Sequence, residues 1–340
     1  MNRSKKYKNG LVLGSFEPFH FGHKFLIDTA INNSEKVHVL VCYRDNDEIN
    51  GEFRYESIRY TYSNNPNVII YNIKHNYDDY PGEFGTTKDE FYDLWVNKIV
   101  YNNVKDLDVI FTSEDYGDEF AKYLNIEHFL VDKQRIKYNI SGTEIRNYPY
   151  KNWKYLPDVT KNYFIKKIVL VGPESSGKTT MAKLISKKLN TTYIKEYGAD
   201  YIDQKGLNQN TKNNDKFSII DINHIASGQI HLENEALKQN NKTIIYDTDL
   251  ITTQIWSEIY FNKCPKWIVD ESYRRTYDLY LLMDIDFEWQ DEGIREFPEK
   301  RQWHFNRIKK ELDKRNLNYK LISGTIEDRL KKCLKEIKKL

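Results

Sequence analysis

Short apolar runs recur along the chain, with longer polar stretches of helical character between them. In the first half the runs are LVLG, VHVLVCY, NVIIYNI, LDVIFTS and EHFLVDK; in the second they are IVLV, TTYIKEY, TIIYDTD, LYLLMDI and YKLISGT. Runs this short, rich in Val, Ile and Leu and separated by helical segments, read as strands of parallel sheets covered by helices. Two segments share one order of parts: basic residues, an apolar strand, a glycine loop, then a helix. They are Lys8 to Ala30 and Lys166 to Leu189. Each predicts the opening β-loop-α of a doubly wound domain, with ligands at the carboxyl ends of the strands. The predicted fold class is therefore α/β, with two doubly wound parallel-sheet domains at 1–150 and 166–340. The stretch between them, 151–165, sits in YPYKNWKYLPDVTKNYF. It is too aromatic for a floppy linker and is expected to pack between the domains. Lys205 to Lys216 reads as a loop, and the closing KKCLKEIKKL as a helix with basic last turns.

Composition narrows the picture without redirecting it. The 340 residues suffice for two domains, and the 26 Tyr supply burial that Leu would give elsewhere. A net charge of +2 gives no global case for nucleic-acid binding, so cations for phosphates must be local. Cys42, Cys264 and Cys333 lack metal or redox spacing and are odd in number, which points to a reducing cytoplasm. No stretch reaches membrane-spanning length. Small-molecule partners are expected, with no nucleic acid and no membrane insertion; self-association is left open.

The first glycine loop carries Gly14, Ser15, Phe16, His20 and His23 in GSFEPFHFGH. Gly14 allows close approach to phosphate, and the helix that follows offers free N–H groups. His20 and His23, one helical turn apart, can donate hydrogen bonds to a phosphate gaining charge in an in-line displacement. Half of a zinc site is the weaker reading, since no third ligand has supporting context. Further on, Ser141, Gly142, Thr143 and Arg146 in ISGTEIR predict a capped helix whose Arg146 can clamp the same phosphates.

The second loop, Gly172-Pro173-Glu174-Ser175-Ser176-Gly177-Lys178-Thr179, fits the P-loop pattern in strand-loop-helix context, with Thr180 next. Backbone N–H groups would cradle phosphates, Lys178 would reach the β- and γ-oxygens, and Thr179 would ligate Mg²⁺. Asp247 ends a strand where a carboxylate would hold Mg²⁺, and Asp249 could bind a substrate hydroxyl. Glu196, followed by Tyr197, competes with Asp247 as the base for the accepting hydroxyl. Arg295 and Arg301 belong to a segment that reads as a lid, together with Trp289 and Asp291. Trp256 and Trp289 could stack on a flat ring.

The GxFxPxHxGH and ISxTxxR forms resemble the nucleotidyltransferase superfamily. The order of that domain before a P-loop kinase resembles the NadR family, which fuses nicotinamide mononucleotide adenylyltransferase to ribosylnicotinamide kinase. FEPFHFGH, ISGTEIR, YKNWKYLP, GPESSGKTT, EYGADY, DTDLITTQ and EWQDEGIR carry that likeness over nearly the whole chain. The resemblance implies an N-terminal Rossmann-like nucleotidyltransferase and a C-terminal P-loop kinase. It implies phosphorylation of nicotinamide riboside by ATP and adenylylation of the product to NAD, with Mg²⁺ in both steps. His20, His23, Arg146, Lys178, Glu196 and Asp247 are the expected catalytic set. Some NadR proteins begin with a helix-turn-helix; here the first strand starts within about ten residues, so a repressor role is not expected. An Arg usually follows EYG in that family, where this chain has Ala199; its contribution must be absent or supplied elsewhere. The rival enzyme is a fused pantetheine-phosphate adenylyltransferase and dephospho-coenzyme A kinase. The rival of another class is a nucleotide sensor without turnover, against which the intact His20, His23, Lys178, Thr179 and Asp247 argue.

Overall fold

The computed structural model describes residues 6–77, 86–206, 217–286 and 301–340. The chain divides into two compact units, 1–164 and 165–340. The first unit runs β1 (Tyr7–Gly14), α1 (Phe21–Asn33), β2 (Ser34–Tyr43), α2 (Gly51–Thr61), β3 (Val68–Lys74) and α3 (Lys88–Leu94). Helix α3 continues through a π-helical turn, Trp95–Val100, into the short α4 (Tyr101–Asn103). Then come β4 (Val109–Thr112), α5 (Gly117–Leu124), β5 (Glu127–Leu130), α6 (Gly142–Asn147) and α7 (Asp158–Phe164). Among the described residues its five strands are all parallel, in the order β3-β2-β1-β4-β5. The order therefore reverses beside β1, where α/β sheets open a crevice at their carboxyl ends.

Side-chain alternation builds two cores from one sheet. Val12, Val39, Val41, Val109 and Phe111 pack with Leu26, Ile27 and Ala30 of α1 and Ile58 of α2. Leu11, Leu40, Cys42 and Ile110 pack with Trp95, Ile99, Val100 and Phe120. Residues 151–164 of the aromatic stretch belong to the first unit. Trp153, Tyr155, Leu156 and Phe164 cluster with Ile140 and Ile145, and Asn152 donates to the Glu144 and Tyr148 carbonyls.

The second unit runs β6 (Lys166–Val171), α8 (Lys178–Leu189), β7 (Thr192–Ile194), α9 (Tyr197–Gln204), α10 (Ile219–Leu237), β8 (Thr243–Asp247) and α11 (Leu250–Phe261). It continues through α12 (Lys266–Arg274), β9 (Leu279–Met283), α13 (Arg301–Lys314), β10 (Tyr319–Ile322) and α14 (Ile326–Ile337). Its parallel sheet has the order β10-β9-β6-β8-β7. One face is apolar: Ile168, Leu170, Ile245, Leu281 and Met283 pack on Met181, Ala182 and Ile185 of α8 and Cys333 of α14. On the other, Val169 lies in register with both Tyr246 and Tyr280. Tyr277 meets both phenol rings edge-on. Beneath them the buried Glu233 takes an ion pair from Arg275 at 2.6 Å and the Tyr277 hydroxyl at 3.0 Å. The abundant tyrosines thus form core here, and the Tyr277 and Tyr280 hydroxyls donate to Glu233 and Asp249. Among the described residues no helix is long and apolar enough to cross a membrane.

Candidate active sites

In the first unit, β1 ends at Gly14 and the chain turns into α1 through a loop in which Phe16 holds φ 51°. His20 caps α1: its Nδ1 accepts from the N–H groups of Gly22 at 3.1 Å and His23 at 3.3 Å. A Cβ at Gly22 would lie 2.9 Å from that ring, so glycine permits the cap. Because Nδ1 accepts, a neutral His20 carries its proton on Nε2. Burial, with His23 and Arg135 adding to it, holds His20 well below the ordinary histidine pKa. His23 stacks on it, ring centroids 3.7 Å apart, with Phe16 edge-on at 5.1 Å. Burial pushes His23 down to about 3, against the opposing pull of the Pro18 carbonyl. Both rings are therefore neutral hydrogen-bond donors, and the cations must be arginines.

Those arginines come from elsewhere in the chain. Ser141 caps α6 by accepting from the Glu144 N–H at 3.2 Å. Gly142 is required there, since a Cβ would stand 2.4 Å from the Glu17 carbonyl oxygen. Arg146 donates Nη1 to that same carbonyl at 2.5 Å and Nη2 to Thr143 Oγ1 at 3.3 Å. It pairs with Glu17 and Glu48 at 3.7 and 3.4 Å. The two motifs thus meet directly, and Gly14, Ser15, His20, His23, Ser141, Gly142, Thr143 and Arg146 line one cavity of about 530 Å³. A Cβ at Gly14 would meet nothing closer than the Phe16 ring at 3.8 Å; the protein itself does not require glycine there, and the open space faces the cavity. Phe16 lines the same cavity; it is 2% exposed, and its ring also supports His23 edge-on.

Sequence reasoning passed over three residues here. Arg135 lines the cavity, and nothing around it forms a motif. Trp95 adds an aromatic wall. Arg54, with a side chain 0% exposed, donates to Asp47 at 2.5 Å and to the Ser15 carbonyl at 2.9 Å, pinning the loop that carries the histidines. No signal in GEFRYESIRYT marks that arginine as buried.

In the second unit β6 leads into the P-loop from Gly172. Gly177 precedes α8 at φ 81°, a left-handed conformation suited to glycine. Ser176 turns inward, its hydroxyl donating to the Pro173 carbonyl at 2.7 Å, and so offers the loop only its backbone. Lys178 Nζ donates to that carbonyl at 2.9 Å. Glu174 and Ser175 are partly buried, and Thr180 is exposed at the start of α8. Thr179 Oγ1 donates to Asp247 Oδ2 at 2.5 Å, while the buried Oδ1 has no hydrogen-bond partner. A hydroxyl beside a carboxylate with a spare oxygen is the hard oxygen donor set that Mg²⁺ takes, so these residues fit the ion.

Burial raises the Asp247 carboxyl, against Lys178 and the Thr179 hydroxyl. Glu196 is raised too, first by burial and also by Asp247, with Lys178 opposing. The two candidate bases therefore share one electrostatic neighbourhood with the P-loop lysine.

Asp249 is the N-cap of α11. Its Oδ1 accepts from the N–H groups of Ile251 at 3.1 Å and Thr252 at 3.2 Å, and its Oδ2 from the Tyr280 hydroxyl at 3.0 Å. At 1% exposure its carboxylate is held inside the fold. Tyr197 is held by Gln229 through its backbone N–H at 3.0 Å and by packing on Gly228. Ala199 is exposed in α9. Trp256 stacks on Tyr260. Arg301 opens α13 and donates to the Ser175 carbonyl at 3.1 Å. Trp289, Asp291 and Arg295 lie outside the described residues. Arg329 was missed: fully buried on α14, it donates to the carbonyls of Gly324, Ser176 and Asp284 and tethers the P-loop from behind.

Two parallel-sheet units, one with paired neutral histidines under an arginine clamp and one with a P-loop and carboxylates, define a bifunctional nucleotidyltransferase and kinase. Comparisons with known proteins agree. A family profile described as "Citrate lyase ligase C-terminal domain" matches residues 9–137, and one described as "AAA domain" matches 167–329. The chain is 29% identical over 319 residues to the trifunctional NAD biosynthesis/regulator protein NadR of Salmonella typhimurium, covering 86% of this chain and 72% of that one. It is 28% identical over 313 residues to the Escherichia coli protein of the same name, covering 84% and 71%. A crystal structure of NadR with NR superposes with a TM-score of 0.69 at 20% identity, covering 95% of this chain and 91% of the other. A second, with NAD and AMP-PNP, gives 0.69 at 21%, covering 95% and 93%; these two establish the likeness of fold. The chain is thus similar to the NadR proteins over most of its length.

Proposed function

We propose that the second unit phosphorylates the 5′-hydroxyl of nicotinamide riboside with ATP, and that the first adenylylates the resulting mononucleotide to NAD with release of pyrophosphate. The observation that carries this reading is the pairing, on one NadR-like chain, of the His20–Arg146 cavity with the Lys178–Asp247 site. In the kinase step Lys178 binds the β- and γ-phosphates, and Mg²⁺, held by Thr179 and Asp247, supplies neutralising charge when bound. Glu196 takes the hydroxyl proton: burial has raised its pKa toward the working range of a base, and Asp247 is committed to the Thr179 hydroxyl. In the adenylyl step the mononucleotide phosphate attacks the α-phosphate of ATP in line. His20 donates from Nε2 to the developing charge, and Arg146 and Arg135 supply the positive field. No covalent enzyme intermediate is needed; positioning and electrostatics carry both steps.

Product analysis with nicotinamide riboside, ATP and Mg²⁺ tests the scheme. Wild type should accumulate NAD, His20→Ala the mononucleotide alone, and Lys178→Ala neither. Failure to make mononucleotide, with NAD still formed from supplied mononucleotide, rejects the kinase assignment. Failure from both substrates rejects the nicotinamide reading and directs the assay to pantetheine phosphate.

A further inference from the structure

The first turn of α13 lies against the P-loop through Arg301, whose Nη2 reaches the Ser175 carbonyl at 3.1 Å. His304 follows three residues later, on the same helical face, and is 5% exposed. Its ring stands edge-on to Trp256, centroids 4.7 Å apart at 78°. Its Nε2 is buried without a hydrogen-bond partner. Burial, and then the Lys178 ammonium, push its pKa down to about 4, so the ring is neutral and lies within electrostatic reach of the P-loop lysine. Native chains rarely leave a buried polar nitrogen unsatisfied, and the exceptions need a reason. Nothing in the folding of α13 requires an imidazole here; an apolar ring would fill the contact with Trp256 equally well.

We infer that His304 is a further substrate-contacting residue of the kinase site, its Nε2–H donating to a γ-phosphoryl oxygen of the bound nucleoside triphosphate. The inference rests on the P-loop kinase reading of this unit. The γ-phosphoryl is the partner of choice because Arg301 and Lys178 place this face at the phosphate end of the loop. Phosphoryl oxygens are acceptors, and a neutral imidazole has one N–H to give.

The test is equilibrium titration of the full chain with AMP-PNP and with ADP, each with Mg²⁺. Lys178→Ala identifies which binding component belongs to the P-loop. His304→Phe keeps a ring against Trp256 and removes the donor; His304→Gln keeps a donor and removes the ring. Circular dichroism checks that each variant folds; if His304→Phe does not, His304→Leu replaces it. AMP-PNP affinity at the P-loop should fall about tenfold or more in His304→Phe and be largely kept in His304→Gln, as for a hydrogen bond to a charged group. ADP affinity should change little in either. A packing role gives the reverse order of the two variants and overturns the inference. Unchanged AMP-PNP affinity in both, or equal losses for AMP-PNP and ADP, overturns it as well. If wild type does not phosphorylate nicotinamide riboside while AMP-PNP still separates the two variants, the riboside assignment fails and the His304 contact stands.

Discussion

Arg54→Met removes a buried cation while keeping much of its apolar stem. Arg54 spends its guanidinium on two partners, Asp47 Oδ2 at 2.5 Å and the Ser15 carbonyl at 2.9 Å. Breaking a buried ion pair by removing one partner costs about 3–5 kcal/mol. The figure is lower here, because the Asp47 side chain is 12% exposed and keeps the Arg44 N–H at 2.9 Å. A loss of about 2–4 kcal/mol follows, including the Ser15 carbonyl left without its donor. Hydrogen exchange on the full chain measures it locally. Amides of β1 should exchange roughly 30- to 700-fold faster, while those of β6, in the other unit, serve as reference and keep their protection. Burial raises the Asp47 carboxyl, but the Arg44 N–H and Arg54 more than reverse it, so its net pKa is lowered. A depressed native pKa gives stability that is present above the unfolded value, about 3.9, and is lost as pH falls through the native one. The gap between wild type and variant should therefore narrow in acid below about pH 4. Adenylylation should fall with the loosened histidine loop, and Arg54→Lys should recover part of the loss. Unchanged β1 exchange in Arg54→Met would refute the reasoning.

His23, held at about 3 in the native state, leaves the unfolded chain to take up a proton first as pH falls below about 6.5. The first unit should lose stability from there down toward pH 3, a slope that His23→Asn should flatten in urea melts at successive pH values. Asp249→Asn preserves the cap acceptor, so riboside KM should stay at the wild-type value. Asp249→Ala should cost about 1–3 kcal/mol of stability through the lost cap and the unpaired Tyr280 hydroxyl. A tenfold rise in KM for Asp249→Asn at unchanged stability would make it a substrate ligand. Arg329→Met frees the Ser176 carbonyl, and kinase kcat/KM should drop about tenfold, mostly through KM for ATP. Adenylylation is the control, and Arg329→Lys should rescue only in part.

Much of the architecture was legible because it depends on local pattern. The runs that form β1, β2, β6, β8 and β9 are short and apolar on both sides, as parallel strands covered by helices must be. The P-loop was legible for the same reason: strand, glycine turn and helix lie side by side in sequence. The buried charges were not. An arginine at 54 or 329 reads as surface in any amphipathic pattern, because what buries it is a carbonyl or carboxylate brought from elsewhere in the fold. Ser176 lies 153 residues from Arg329. Asp249 shows the same limit from the other side. An aspartate after a strand suits a ligand and a helix cap equally well, and the Tyr280 hydroxyl that holds its second oxygen lies 31 residues away.

The two units use opposite electrostatic designs at similar topological positions. In the first, burial removes charge from the histidines and leaves arginines as the cations of the cavity. In the second, burial raises two carboxyls next to a lysine, which suits one to bind a metal and the other to accept a proton. The difference follows from the chemistry assigned to each. Adenylyl transfer to a phosphate needs no base, since the nucleophile is already an anion, so neutral donors and fixed cations are enough. Phosphoryl transfer to a sugar hydroxyl must dispose of a proton, and a carboxylate of raised pKa beside the P-loop provides for it. Among the described residues Glu17, the carboxylate that bridges the first unit's two motifs, is paired with Arg146 and accepts the Ile49 N–H.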